Sequence, residues 1–157
     1  VTLRVRRAGA DDAALISSLN ADVQALHAAG FPERFKPPGP ETLPPAEVAD
    51  LLRQPGTLAF IAELGTAPAG YVYAETIAQP ETSLRHAYEM MHVHHISVRP
   101  EFRRHGVGAA LLAAVRAAAN DAGITLLTLD VWTFNAEARA FFARNGFSAY
   151  IERLWSR

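Results

Sequence analysis

Three histidines fall within four positions, His92, His94 and His95, on a run rich in strand-forming residues, His92 to Val98. Imidazole titrates near 6.5, so it can take a proton at neutral pH, directly or through water. Alternation along a strand puts His92 and His94 on one face and His95 on the other. A metal site of the H-x-H kind lacks a third ligand at suitable spacing. The plainer alternative is a set of hydrogen-bonded, partly buried histidines. His27, His86 and His105 have no partner pattern and read as surface residues.

Just downstream lies Arg103-Arg104-His105-Gly106-Val107-Gly108, between that strand and a helix-like run starting near Val107. The first turn of a helix carries N–H groups without intrahelical partners and a partly positive dipole end, which together suit an anion. Glycines 106 and 108 allow close approach of backbone to a pyrophosphate, and Arg103 and Arg104 add charge. A Walker loop requires Lys and then Ser or Thr, whereas Ala109 and Ala110 stand here. A dinucleotide fingerprint fits better, with Asp130 downstream for a ribose. However, Leu111 replaces its third glycine and a polar segment separates the loop from the strand. A turn with solvated arginines is the bland reading of the same residues.

The elements that must position these groups can be read along the 157 residues. Leu3 and Val5 alternate as a first strand; Asp11 or Asp12 can cap a helix bearing Leu15, Leu19, Val23 and Leu26, ended by Gly30. The proline-rich segment from Phe31 to Pro45 breaks regular structure, and Ala46 to Leu52 can form a short helix. Thr57 to Leu64 and Ala69 to Ile77 read as a hairpin. Val107, Leu111, Val115, Ala118 and Ala122 make an apolar helical stripe ending at Gly123, and Ile124 to Val131 is a buried-looking strand. Asn135 can cap a helix stopped by Asn145-Gly146, with Phe147 to Leu154 as a final strand. The expectation is one α/β domain over residues 1–157, a mixed sheet in the order β-α-α-β-β-β-α-β-α-β with helices on its faces.

Composition narrows the function classes. Half the residues are hydrophobic and 20% charged, ordinary for a globular chain, and no apolar run is long enough to span a bilayer. A formal net charge of -1 argues against electrostatically driven binding to nucleic acid or membrane. The absence of cysteine excludes disulfides and thiol catalysis and fits a cytoplasmic protein, as does an N-terminus without an apolar signal region.

With this order in place, Arg103-x-x-Gly106-x-Gly108 resembles the Arg/Gln-x-x-Gly-x-Gly/Ala signature of the GNAT superfamily of acyl-CoA N-acyltransferases. Asn135-x-x-Ala138-x-x-Phe141-Phe142-x-x-x-Gly146-Phe147 is similar to that family's downstream motif. The resemblance implies a splayed central sheet with acetyl-CoA in the splay between the strands ending at Val98 and near Val131. It implies a pyrophosphate site on Arg103, Arg104, His105, Gly106, Val107, Gly108 and Ala109. It implies a pantetheine arm along Ile96, Ser97 and Val98, with the Val98 N–H polarising the thioester carbonyl, and Asn135 and Phe142 beside that arm. The H-x-H pair is locally similar to the arylalkylamine N-acetyltransferase branch, in which paired strand histidines are implicated in a proton relay.

The resemblance therefore implies direct acetyl transfer from acetyl-CoA, the cosubstrate, to an amine, with no metal. A primary amine resembling lysine is only about one part in 10³ free base at pH 7, so a base such as His92 or His94 is useful. Many members carry Tyr where Phe142 stands, and phenylalanine cannot protonate the leaving thiolate. Tyr150, and behind it Tyr88, are the tyrosines considered for that role. Phe31, Phe35, Tyr73 and Tyr88 can line an apolar acceptor slot, and Glu33, Glu75 and Glu89 can receive a cation. The acceptor remains open between a small-molecule amine and a protein N-terminus or lysine. A catalytically weak acyl-CoA sensor is the alternative from another class. A homodimer is compatible with the family.

Overall fold

A computed structural model describes residues 1–157. Five strands, β1 (Leu3–Arg7), β2 (Thr57–Leu64), β3 (Ala67–Gln79), β4 (Tyr88–Val98) and β5 (Leu127–Leu129), lie side by side in chain order. The first four are antiparallel, and β5 runs parallel to β4 after a helical crossover. Helices α1 (Ala13–Gly30) and α2 (Pro45–Arg53) cover one face, and α3 (Val107–Asp121) covers the other. Helix α4 (Ala136–Arg144) follows β5.

Period-two alternation divides the core. On β2, Leu58 and Ala62 face α3, while Ala59 and Ile61 face α1 and α2. The α3 layer is built by Val107, Leu111, Val115 and Ala119 against Val72, Ala74, Met91 and Val93, close to the stripe read from the sequence. The α1 layer uses Ala13, Ile16 and Leu19 against Tyr71 and Tyr73. Asp12 begins α1 without a side-chain cap on it. Its carboxylate instead receives Arg6 at 2.8 Å and the Gly9 N–H at 3.0 Å, and the Arg6 guanidinium holds it below the usual carboxylate range.

Two expectations are corrected. The strand foreseen from Ile124 to Val131 is reduced to Leu127–Leu129, because β5 departs from β4 after Val93. Residues 147–157 belong to no strand, so the expected final strand from Phe147 to Leu154 is absent: residues 148–157 make no backbone–backbone hydrogen bond to the sheet. Otherwise the mixed α/β arrangement is the expected one. No helix is long and apolar enough to cross a membrane.

Candidate active site

A β-bulge in β4 sets the direction in which its three histidines point. Tyr73 pairs with His95 and Ala74 with Val93, which leaves His94 as the extra residue. The bulge resets the alternation, so His95 does not face away from His92 and His94 as expected. Met91, Val93, Ile96 and Val98 pack toward α3, while His92, His95 and Ser97 point toward α1. All three histidines therefore meet the Tyr71, Tyr73 and Glu75 side of β3.

Each imidazole has a different setting. His92 Nδ1 lies 2.7 Å from the Thr128 hydroxyl on β5, leaving Nε2 directed at the Asp130 carboxylate 4.0 Å away. His94 Nε2 lies 3.8 Å from Glu75, and its ring stacks on Tyr73 at 5.2 Å and meets His92 edge-on at 4.9 Å. Burial lowers the His94 pKa, and the neighbouring His92 lowers it further, partly offset by Glu75. Burial likewise pushes His95 down to about 4, with smaller contributions from His94 and His27. His95 is thus neutral and hydrogen-bonded, the plain reading of a histidine, whereas His92 and His94, with 17% and 34% of their side chains exposed, lie beside carboxylates.

Behind His95 sits a pair that the sequence did not reveal. Buried Asn20 donates to the Tyr71 hydroxyl at 2.9 Å, so the single Tyr71 proton is directed to His95 Nδ1 at 3.1 Å and the His95 proton resides on Nε2. Burial holds the Tyr71 phenol well above its ordinary pKa. Burial and then Glu75 raise that of Tyr73, keeping both as O–H donors. The Tyr71-x-Tyr73-x-Glu75 spacing was a usable signal, because strand alternation puts all three on one face.

On the opposite edge of β4 the backbone is free. Arg99 N–H donates to Ala69 of β3, so alternation turns the backbone groups of Ile96 and Val98 outward, where β5 no longer runs alongside. The Ser97 side chain is committed elsewhere, donating to the Leu19 carbonyl at 2.9 Å. This open wedge ends at the glycine loop. Arg104 (φ 62°) and Gly106 (φ 78°) are left-handed, and they bring the chain round into α3. Gly106 cannot cap that helix, and the N–H groups of Val107, Gly108 and Ala109 have no partner; the first bond runs from Ala110 to Gly106. Arg103 Nε reaches the Val98 carbonyl at 3.3 Å, leaving its terminal nitrogens beside the same mouth, and His105 Nδ1 lies 2.7 Å from the Arg103 carbonyl.

The remaining expected site residues are distributed as follows. Asn135 caps α4, accepting from Ala138 N–H at 3.1 Å. Phe142 is buried between Phe141 and Phe147. A Cβ on Gly108 would lie 2.8 Å from the Phe141 ring, so this glycine admits α4 against α3 as well as baring the helix end. Tyr150 is 73% exposed on the terminal tail and Tyr88 is exposed at the start of β4; neither joins the histidine group by a hydrogen bond or ring contact. His27 is not a free surface residue: its ring lies 5.0 Å from Phe35 and 6.4 Å from Phe134, and burial lowers its pKa. Phe31 and Phe35 pack on Trp132 at 5.7 and 5.3 Å, forming an aromatic wall between the end of α1 and the segment after β5. Trp132 was missed because a lone Trp after a strand has no pattern.

The model of the acetyltransferase (GNAT) family matches residues 20–147, which include the bulged strand, the glycine loop and α4. The chain belongs to the GNAT family of acetyltransferases. It is thus an acyltransferase of the acetyl-CoA-dependent kind. No curated protein matches the sequence. Among solved structures, a tetramutant of the BH1408 protein of Bacillus halodurans superposes with a TM-score of 0.92 at 16% identity, covering 98% of this chain and 99% of that one. A predicted acetyltransferase of Clostridium acetobutylicum, solved with acetyl-CoA, gives 0.73 at 18% identity over 99% and 96%. The aminoglycoside N-acetyltransferase AAC(6')-Iy, solved with CoA, gives 0.72 at 17% identity over 99% and 94%. At these identities the likeness is one of fold.

Proposed function

We propose that this GNAT protein moves an acetyl group from acetyl-CoA directly to the primary amine of a small cationic molecule. The observation that carries the reading is the open edge of β4 leading to an uncapped helix: the outward backbone of Ile96 and Val98 ends at three partnerless N–H groups and two arginines. A thioester arm needs the first, and a pyrophosphate needs the second. The CoA and acetyl-CoA bound in similar folds agree with this use of the wedge.

The His92, His94, Glu75 and Asp130 group lies on the α1 face of the same strand. A cationic amine is attracted by the two carboxylates. His94, neutral because burial lowers its pKa, takes the ammonium proton, and the uncovered lone pair attacks the thioester carbon. The Val98 N–H faces the wedge and stabilises charge on the carbonyl oxygen. The C–S bond then breaks; the thiolate takes a proton from Tyr73, which stacks on His94, or from water, and the second N–H proton of the attacking nitrogen passes to the phenolate or hydroxide so formed, leaving the neutral amide while His94 returns its proton to solvent. Phe142 offers no proton. Because a thiol of pKa about 8.5 is a fair leaving group, that substitution is compatible with turnover. The aromatic wall of Phe31, Phe35 and Trp132 favours an acceptor with an apolar or ring-shaped body.

The test is a panel of monoamines, polyamines, aminoglycosides and lysine- or N-terminal peptides, read by thiol release and by the mass of the acetylated product. Turnover confined to cationic small molecules is the expected result. Turnover on peptides alone overturns the acceptor assignment, and binding of acetyl-CoA with no turnover on any amine favours a sensor.

A further inference from the structure

Three polar residues are buried in this chain, Asn20, Ser97 and Thr128. Asn20 serves Tyr71 and Ser97 serves the Leu19 carbonyl, so each is committed to the frame. Thr128 differs, because its partner is His92, which borders the groove. β5 reads Leu127-Thr128-Leu129, and its two leucines pack toward α3. Alternation therefore turns Thr128 to the α1 face, where the strand register sets it opposite His92.

A threonine hydroxyl has one proton, and two acceptors lie within its reach. His92 Nδ1 is 2.7 Å away and Met90 Sδ is 3.6 Å away. Thioether sulfur is a weak acceptor, so the proton goes to the imidazole nitrogen. The neutral ring then carries its own hydrogen on Nε2, which faces the Asp130 carboxylate at 4.0 Å. The other tautomer is disfavoured twice: it would leave the Thr128 proton to the sulfur and turn an Nε2 lone pair toward a negative charge. Tyr71 acts on His95 in the same way, through Nδ1. His94 alone of the three meets no hydroxyl, and its Nε2 faces Glu75 at 3.8 Å.

We propose that Thr128 is a positioning residue: it fixes His92 in the Nε2–H form, a hydrogen-bond donor to the groove, and leaves His94 as the one imidazole open to the ammonium proton. The division of roles rests on the proposed acetyl transfer, whereas the tautomer of His92 does not. Two rings only 4.9 Å apart thus differ in function because one of them has a buried hydroxyl behind it.

Nitrogen-15 spectra of the histidine-labelled full chain at about pH 8, where a free imidazole is mostly neutral, read the tautomer with no acceptor present. The His92 signals are assigned by their loss in His92→Gln. A pyrrole-type Nε2 and a pyridine-type Nδ1 are expected in the wild type and in Thr128→Ser, which keeps the hydroxyl. Thr128→Val keeps the shape and removes the donor, so the two nitrogens should average toward one another. Its kcat should fall about tenfold or more, the effect of one lost hydrogen bond, and Thr128→Ser should recover most of it. The acid limb of kcat/KM should persist in His92→Gln and vanish in His94→Gln. A pyrrole-type Nδ1 in the wild type, nitrogens and rate unmoved by Thr128→Val, a Thr128→Ser no better than Thr128→Val, or an acid limb that follows His92 would each overturn the inference. Should Thr128→Val fail to fold, the wild-type and Thr128→Ser spectra decide the tautomer. If no amine is turned over, the acetyl transfer fails and those spectra decide it still.

Discussion

His94 is the residue on which the proposed chemistry turns. It is bulged out of β4, stacked on Tyr73 and faced by Glu75, and burial makes its neutral form easier to reach than that of a free imidazole. The acid limb of kcat/KM should consequently fall below pH 6.5. Replacing His92 and His94 with Gln is expected to lower kcat at neutral pH by the 10² to 10⁴ typical of general-base loss, with recovery toward high pH as the amine deprotonates unaided. A parallel pH–rate profile would remove the relay. His95 makes a different prediction, because its buried ring titrates near 4 in the folded chain and near 6.5 when unfolded. Between those values the unfolded chain binds the extra proton, so stability is full above pH 6.5 and is lost as the pH falls toward 4. At 1.36 kcal/mol per unit the loss is on the order of 3 kcal/mol. His95→Gln, which keeps a partner for Tyr71 and removes the titration, should flatten denaturant midpoints across that window. An unchanged slope would assign the acid sensitivity elsewhere.

At the scale of elements, the glycine loop and α4 share one design, since Gly108 both bares the start of α3 and admits Phe141. Gly108→Leu should displace α4, cost about 1–3 kcal/mol by overpacking, and weaken acetyl-CoA binding; Gly106→Val strains a left-handed position and should weaken binding with less effect on α4. Calorimetric titration and thermal unfolding of the two variants separate these effects, and unchanged affinity in both would refute the phosphate site. Asn135→Ala is expected to cost about 1 kcal/mol through loss of the Ala138 N–H cap. These elements were legible in the sequence because capping and turn chemistry are local: Asn135, Gly106 and the α3 stripe carry their signals within a few residues. The His95 face was not legible. A bulge arises from pairing with β3, so no alternation within β4 announces it. The final strand failed for the converse reason: residues 148–155 have strand composition, but a strand exists only where an edge receives it.

Across the whole molecule, two helical layers hold a five-stranded sheet that opens only where β5 leaves β4. The histidine group borders that opening on one side and the bare end of α3 borders it on another, so the proposed function has donor and acceptor meet at one strand and needs no covalent enzyme intermediate. A single-turnover reaction tests this most directly, with enzyme in excess over acetyl-CoA labelled in its acetyl group and a cationic primary amine added last. The account predicts that all label passes to the amine nitrogen at a rate lowered by His92→Gln with His94→Gln, and that none is found on the protein after denaturation. Label retained covalently on the chain, or bound acetyl-CoA that no amine discharges, would contradict it.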